Sequence, residues 1–345
     1  MKKALYIGLL PLALSACIHT IPVDFGEVEP RLVLNAQLSA ADGEQAIYLS
    51  ESALTTIKPQ RGATVSVLVD GKPFAQAQEA AEPDEAYACA AAYHFQGGFP
   101  SGSQVTVKAV LGGTEVSAQS VVETAPRLVQ VDTLRVTEQD FGDTYVSFQF
   151  KITLRDLPGN NYYRVGVRCD DLIYLIDADE NRLEIPYAYE LPVDGKQEPV
   201  LGGGVMGASI FDLDPTFLVF TDQLFQDQDY TLHLSLPVES LAPFYYIYDS
   251  QFKPVRSETL VRLIPWVESI TEAEYHYLEA LNNLENFGYE AQMVVEPTTL
   301  PSNVQGGLGF VSVLNRTESA PLVLPLVLQE FEDMDPQKDE PDAGE

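Results

Sequence analysis

Alternation of apolar and polar residues is the feature that most narrows the possible folds of this chain. From Val146 to Leu154 every second residue is large and apolar, and the residues between are polar. This period of two places the apolar side chains on one face of a strand, whereas a helix would scatter them around its circumference. Similar spacing recurs at 32–38, 65–69 and 105–109. The sequence therefore predicts a mainly β protein.

Turn signals divide the chain into two parts. The Asp70-Gly71 pair, which is typical of a tight hairpin, and the Gly112-Gly113 pair both precede a boundary at Ala125-Pro126. Because no helical stretch separates the early strand patterns, we predict a small antiparallel β-sandwich over 31–124. A larger antiparallel β-rich domain is expected over 127–328. Its further strands are predicted near 161–169, 172–176, 183–189, 216–220, 230–236, 257–264, 306–314 and 322–328.

One helix is predicted, near residues 271–287. Thr271 and Glu274 have the spacing of a capping box, in which the threonine is the N-cap and the glutamate is the third helical residue. Apolar residues then follow at helical spacing from Tyr277 to Leu284. Gly288 is a typical stop signal.

The first residues have the composition of a secretory signal. Two lysines precede an apolar stretch from Ala4 to Leu14, which is too short to span a bilayer as a helix. The segment closes with Leu14-Ser15-Ala16-Cys17, which resembles the lipobox of bacterial lipoproteins. The resemblance implies cleavage after Ala16, so that residues 1–16 are a signal peptide, and it implies a lipid on the sulfur of Cys17. An ordinary signal with a chance cysteine is the alternative.

Residues 17–30 are interpreted as a lipidated tether, because they contain prolines, a glycine and acids and show no regular period. Ile18 follows the cysteine, where an aspartate would signal inner-membrane retention in some lipoproteins. We therefore expect a lipid-anchored protein of the outer membrane. Acids at positions 24, 27 and 29 loosely resemble a surface-export signal and favour the cell surface, with the periplasmic face as the alternative.

The charge balance excludes one class of partner. The chain carries 51 acidic and 20 basic residues, and its formal net charge is −31. Nucleic-acid binding needs clustered lysine and arginine, so no nucleic-acid partner is expected. Residues 329–345 combine many acids with few apolar side chains, and we predict that they form a disordered acidic tail.

No motif supports catalysis, a cofactor or a metal. Gly202–Gly207 matches the glycine pattern of dinucleotide sites, but no helix signal follows it, so a loop is predicted. Asp177–Asn181 resembles the start of a calcium loop, yet Arg182 and Ala188 occupy the positions that require glycine and glutamate. A polar hairpin turn is the prediction there, with adventitious calcium as the alternative. The histidines are dispersed, and we expect a protein that is not an enzyme.

Two cysteines and the most prominent aromatic residues can belong either to a core or to a specific site. Cys89 and Cys169 each share a strand face with apolar residues, which predicts buried free thiols in preference to a disulfide between the two parts. The aromatic run at 244–248 and Trp266, the single tryptophan, have the character of a ligand platform or of a core. The usual burial of aromatic side chains favours the core.

Three stretches together resemble one family. They are Glu29–Ala36 with Gly62–Val67, the helix around Glu274–Leu278, and the block Pro301–Phe310. This combination is similar to Bacteroidetes outer-membrane lipoproteins that carry the domain of unknown function 4249, over nearly all of the chain after Cys17. The resemblance implies that the N-terminal sandwich is immunoglobulin-like and that enzymatic residues are absent.

The resemblance also implies a partner, because members of this family are similar to lipoproteins that accompany TonB-dependent receptors. We therefore predict a non-catalytic accessory in nutrient binding or uptake at the outer membrane, with a ligand that the sequence does not identify. A structural or adhesive cell-surface lipoprotein is the alternative function, and an enzyme is the third.

Overall fold

The computed structural model describes residues 29–330, apart from 54–55, 85–86, 141–142, 196–197, 203–215, 238–253, 289–299 and 325–326. The predicted signal peptide, Ala16, Cys17 and residues 331–345 of the predicted tail lie outside these residues. The aromatic run at 244–248 also lies outside them, as does the glycine stretch 202–207 apart from its first residue. The first two residues of the predicted tail, Gln329 and Glu330, belong to a strand and not to a disordered segment.

The N-terminal part is a β-sandwich. Its strands are β1 (Leu32–Ser39), β2 (Gly43–Glu51), β3 (Lys58–Pro59), β4 (Thr64–Val69), β5 (Lys72–Glu79), β6 (Ala91–Gly97), β7 (Gln104–Leu111) and β8 (Thr114–Val121). One sheet contains β1, β2 and β6, and the other contains β4, β7 and β8. β5 joins the two sheets, because residues 72–77 pair with β4 and residues 78–79 pair with β6.

Two tight hairpins in this sandwich are the ones that the sequence predicts. Asp70 and Gly71, between β4 and β5, have φ angles of 50° and 73°. Gly112 and Gly113, between β7 and β8, have φ angles of 57° and 89°. Left-handed values at both central positions match the twist of the flanking strands, which is why Asp-Gly and Gly-Gly pairs are favoured there.

The rest of the described chain is also mainly β. Its elements are β9 (Arg127–Asp140), β10 (Asp143–Arg155), β11 (Tyr162–Asp177), β12 (Arg182–Leu191), α1 (Pro199–Gly202), β13 (Leu218–Thr221), β14 (Asp229–Pro237), β15 (Pro254–Ile270), α2 (Glu272–Gly288), β16 (Val304–Gln305), β17 (Val311–Glu318), β18 (Leu322–Val323) and β19 (Val327–Glu330). A short 3-10 turn covers Asp222–Leu224. The prediction of a mainly β fold with one long capped helix is confirmed.

A second hydrophobic core lies between two sheets of this region. β9, β10 and β14 form one sheet, and the other is built on the long antiparallel pair β11–β15, flanked by β12 and β13. The alternating residues Phe150, Ile152 and Leu154 of β10 are fully buried against Val167 of β11 and Leu263 of β15. The alternating apolar residues of β10 therefore form part of the inner face of a second sandwich.

The two sandwiches share a strand. Residues 311–314 of β17 run parallel to β1, and residues 315–318 pair with β15 in antiparallel fashion. β16 pairs with β8, and the core of the first sandwich includes Val304, Val311 and Val313. Residues 31–124 therefore do not supply that core alone, because its last strands come from the far end of the chain.

The block at 301–310 forms the approach to β17 as a glycine-rich connection and not as a continuous strand. Asn303 holds both ends of the connection together, since its side chain accepts the N–H of Val311 at 2.9 Å and donates to the carbonyl of Val311 at 2.7 Å. Gly309 has φ +110° and lies so close to the carbonyl oxygen of Leu34 that a Cβ atom has no room. This block, the most specific part of the family resemblance, therefore seats β17 against β1.

Helix α2 begins as predicted but only half of the capping box forms. The hydroxyl oxygen of Thr271 accepts the backbone N–H of Glu274 at 3.2 Å, which is the expected N-cap bond. The carboxyl group of Glu274 lies instead in the protein interior beside Ser312 and Glu268. Within the described residues, no helix has both the length and the apolar composition that crossing a membrane would require.

Two predictions about β11 and the cysteines need correction. The strands expected at 161–169 and 172–176 are one strand, because the acidic pair Asp170-Asp171 continues it with one side chain on each face. Both cysteines are free, and Cys169 is buried, but Cys89 is exposed. The segment around Cys89 is a turn before β6, so its side chains do not alternate as they would on a strand.

Candidate functional site

A polar cavity of about 440 Å³ lies where the two sandwiches meet. It has three walls. The first is the connection between β8 and β9, the second is the loop between β10 and β11, and the third is the corner where β15 passes into α2. We call this cavity the junction cleft.

The first wall is the connecting segment that carries Glu123 and Thr124. The strand shared by both sandwiches holds this segment in place. The side-chain amide of Asn315 donates to the carbonyl of Glu123 at 2.7 Å, and the hydroxyl of Thr317 donates to the carbonyl of Pro126 at 2.7 Å. The backbone that presents Glu123 to the cleft is therefore fixed by β17.

The second wall is the loop Leu157–Asn161. Asp222, which is almost fully buried, accepts the backbone N–H of Asn161 at 2.8 Å and its side-chain amide at 3.0 Å. The same amide donates to the carbonyl of Leu157 at 2.6 Å. These bonds consume the amide hydrogens of Asn161, so this residue shapes the loop and has little left to offer a ligand.

The third wall combines a strand end with a helix start. Tyr162 and Ile270 are paired across β11 and β15, and Ser269 and Glu272 flank Ile270. Burial, together with the nearby carboxylate of Glu272, raises the pKa of Tyr162. The ring of Tyr162 also lies 5.3 Å from the ring of Tyr275 on α2.

The charged side chains that line the described part of the junction cleft are acidic. Burial raises the pKa of Glu123, and no hydrogen bond or opposite charge offsets that burial. The hydroxyl of Ser269, a residue only 3% exposed, has no hydrogen-bond partner. No arginine or lysine is among the described residues that line the cleft. The cleft therefore presents hydrogen-bond acceptors and negative charge.

A layer of buried charge lies behind the third wall and makes it rigid. Glu268, which is fully buried, accepts the Nε of Arg316 at 2.7 Å and lies 3.6 Å from the guanidinium of Arg164. Both guanidinium groups lie over the ring of Trp266, that of Arg316 at 3.8 Å and that of Arg164 at 5.3 Å from the ring centre. The indole N–H of Trp266 donates to Glu190 at 2.8 Å. Charge-assisted bonds of this kind tie β11, β12, β15 and β17 into one unit.

Two residues of this layer could not be recognised from the sequence. Gly166 lies opposite Trp266 across β11 and β15, and a Cβ atom at Gly166 would lie 2.5 Å from the indole ring. Glu274 is fully buried near the charge of Glu268, and burial together with that charge raises its pKa to about 8. Glu274 is therefore mostly protonated at neutral pH, whereas Glu268 is paired with two arginines.

The residues singled out by the sequence do not converge on a catalytic arrangement in the described part of the chain. Trp266 is 2% exposed, as the core interpretation predicts. The carboxylate of Asp177 accepts the N–H groups of Asp179 and Asn181, which confirms a polar turn. His233 is exposed and faces away from the core. The described residues contain no cluster of three or more histidine, cysteine or acidic side chains that could hold a metal ion.

Sequence reasoning missed the junction cleft itself. Its charged residues belong to no motif, and Glu123 and Glu272 are 149 positions apart in the numbering of this chain. The available signals were indirect. The Ala125-Pro126 boundary and the Thr271 cap each mark a place where the chain changes direction, and the cleft lies between those two places.

Comparison with protein families gives a match over most of the chain. The sequence model described as "Domain of unknown function (DUF4249)" matches residues 18–320. The match begins immediately after Cys17 and covers all three walls of the junction cleft. No curated protein matches this chain.

Proposed function

The chain belongs to the family of the domain of unknown function DUF4249, and we propose that it is a non-catalytic outer-membrane lipoprotein that assists a TonB-dependent receptor in nutrient binding or uptake. One observation carries the proposal. The lipobox-like ending Leu14-Ser15-Ala16-Cys17 stands directly before the first residue of the matched domain. A lipid on Cys17 would therefore place the whole domain at a membrane surface, with only the short segment 17–30 between them.

The architecture supports a binding role. β17 connects the two sandwiches, so the junction cleft is a preformed site and not a gap between independent units. Preformed concave sites with a few polar groups are typical of binding proteins. The net charge of −31 would steer a basic partner toward the protein and repel anionic surfaces.

Isolation of the full chain from native outer membranes tests this proposal. The tagged protein is extracted in mild detergent and the co-purifying proteins are identified by mass spectrometry. We expect a TonB-dependent receptor at a stoichiometric level, and its absence from every preparation would refute the accessory role. Turnover of a glycan or peptide, abolished by a single carboxylate substitution that leaves folding intact, would establish an enzyme instead.

A structural or adhesive role is the second candidate. It is favoured by the continuous sheet that runs from β12 through β17 and β1 to β8, since a shared sheet transmits force between sandwiches without a flexible joint. Electron microscopy of the purified protein separates the two functions. Fibres or regular arrays support the structural role, and a dispersed monomer supports the accessory role.

A further inference from the structure

One outer face of the first sandwich carries no net charge, although the chain as a whole has a formal net charge of −31. It is the outer face of the sheet that contains β4, β7 and β8. The two charged residues at its strand positions, Lys108 and Glu115, form an ion pair at 2.7 Å. The strand register places short polar side chains around them, namely Thr64, Ser66, Gln76, Thr106, Ser117 and Gln119. We call this surface the neutral face.

The outer face of the other sheet in the same sandwich has a different character. Glu44 lies there, 3.6 Å from the Nδ1 atom of His94. Asp84 lies over the same sheet and accepts the hydroxyl of Tyr48 at 2.8 Å. The two outer faces of the first sandwich therefore differ in charge.

The acidic excess is also divided unevenly along the chain. Residues 31–124 contain ten acidic and five basic residues, whereas residues 127–330 contain thirty-one acidic and twelve basic residues. An anionic surface therefore repels the second part of the chain more strongly than the first. Because β17 joins the two sandwiches, this difference acts on the orientation of one connected body.

The chain enters the first sandwich beside the neutral face. The guanidinium of Arg31, directly before β1, donates to the carbonyl of Gly307 at 2.9 Å. Gly307 packs on β8, since a Cβ atom there would lie 2.7 Å from the side chain of Val116. Val116 stands between Glu115 and Ser117, which belong to the neutral face. The segment that leads toward Cys17 therefore leaves the sandwich at the β8 edge of this face.

The length of that segment keeps the sandwich near any lipid on Cys17. Residues 17–30 are fourteen residues, which span at most about 50 Å even when fully extended. A membrane surface with anionic lipids then favours the orientation in which the least acidic surface is nearest to it. The hydroxyl and amide groups of the neutral face can also donate hydrogen bonds to lipid phosphates.

We propose that the neutral face lies on the anionic headgroup surface of the membrane that carries the lipid on Cys17, and that the more acidic second sandwich is turned away from it. This deepens the proposed function by naming the surface that meets the membrane. It rests on that function for the lipid on Cys17, and it does not depend on a receptor.

Quenching of a fluorophore in vesicles tests the proposal. The full chain, isolated from native membranes, is reconstituted into vesicles of phosphatidylethanolamine and phosphatidylglycerol that contain a lipid with a quencher on its headgroup. The fluorophore is attached at Thr106→Cys on the neutral face or at Gln37→Cys on the opposite face, with Cys89→Ser in both to remove the exposed thiol. Packed sheets lie about 10 Å apart, so quenching at position 106 should exceed that at position 37 by at least about threefold. Equal quenching at the two positions would overturn the assignment.

Sedimentation with the vesicles separates this inference from the proposed function. A chain that does not sediment has no lipid anchor, which refutes the proposed function and this inference with it. A chain that sediments but shows equal quenching at both positions refutes the inference alone. Concentration-dependent shielding of the fluorophore at position 106 in detergent, without vesicles, would show that a second copy covers the neutral face and would also overturn the assignment.

Charge substitutions locate the contact. Gln76→Glu with Gln119→Glu adds two charges to the neutral face at exposed positions and should lower quenching at position 106 by at least about twofold at about 0.1 M salt. The loss should disappear at about 1 M salt, because the Debye length falls from about 10 Å to about 3 Å. Gln37→Glu with Gln96→Glu adds the same charge to exposed positions of the opposite face and is the control. An equal loss in the control would show general repulsion of the acidic chain and would refute the contact.

Discussion

At the scale of single residues, Gly166 has the most direct expected effect on stability. Alanine there places a methyl group 2.5 Å from the indole of Trp266, which two arginines hold from either side. We expect Gly166→Ala to destabilise the protein by about 1–3 kcal/mol through overpacking. Gly43→Ala is the matched control, because nothing lies within 4 Å of its added methyl. The midpoint of urea unfolding measures the stability of both variants. Equal midpoints would contradict the close packing of Gly166 against Trp266.

Glu274 makes stability depend on pH. Its pKa is about 8 in the folded protein and ordinarily 4.5. Between pH 4.5 and pH 8 the folded state therefore keeps a proton that the unfolded state has released. Stability should therefore fall as pH rises through this window, by up to about 1.4 kcal/mol per pH unit. Glu274→Gln mimics the protonated form and should remove this pH dependence. The variant should therefore be more stable than the wild type at pH 9 but not at pH 5.

Urea midpoints at the two pH values measure the effect of Glu274→Gln. Glu184→Gln, at an exposed position of β12, is the control and should leave the slope unchanged. Parallel pH profiles for Glu274→Gln and the wild type would show that Glu274 is ionised in the folded protein. The sequence could not reveal this residue, because the capping-box spacing fixes its place in the helix and not what packs against it.

At the scale of elements, the cap of α2 is the clearest test. Thr271→Ala removes the hydroxyl that accepts the N–H of Glu274, and we expect a loss of about 0.5–2 kcal/mol. Thr271→Ser retains the hydroxyl and should remain near the wild type. The change in denaturation midpoint and the helical signal in circular dichroism are the measurements. An alanine variant as stable as the serine variant would exclude a role for the cap.

Most strands could be predicted from the sequence because alternation is local, and it decides which side chains face a core. The positions of β10, β14 and the two tight hairpins follow from it directly. Pairing partners are not local. Nothing in residues 311–318 shows that the first half of β17 joins β1 and the second half joins β15. The junction cleft was missed for the same reason, since its walls meet only through such pairings.

At the scale of the whole molecule, the shared strand predicts one unfolding transition. The two hydrophobic cores are separate, but β17 connects their sheets, because its first half pairs with β1 and its second half with β15. Neither sandwich can open fully without loss of the pairing that completes the other. Differential scanning calorimetry should therefore show a single peak whose van't Hoff and calorimetric enthalpies agree. Two resolved peaks would mean that the sandwiches unfold independently.

The proposed lipid anchor also belongs to this scale, since it would determine where the molecule acts. Cys17→Ser removes the sulfur that would carry the lipid and should yield uncleaved precursor or released protein. Membrane fractionation and the mass of the mature N-terminus are the measurements, and Ser15→Ala, which keeps a small residue beside the cysteine, is the control. A Cys17→Ser protein that is correctly matured and still membrane-bound would exclude lipidation at this residue.

The late position of β17 in the chain has a consequence for biosynthesis. The guanidinium of Arg31 donates to the carbonyl of Gly307, a contact between residues 276 positions apart, and the N-terminal core needs Val311 and Val313. A ribosome makes the N-terminus first, so this sandwich cannot close until nearly the whole chain has been made. Such high contact order slows folding. The nascent chain therefore stays unfolded for longer, until its last strands have been made.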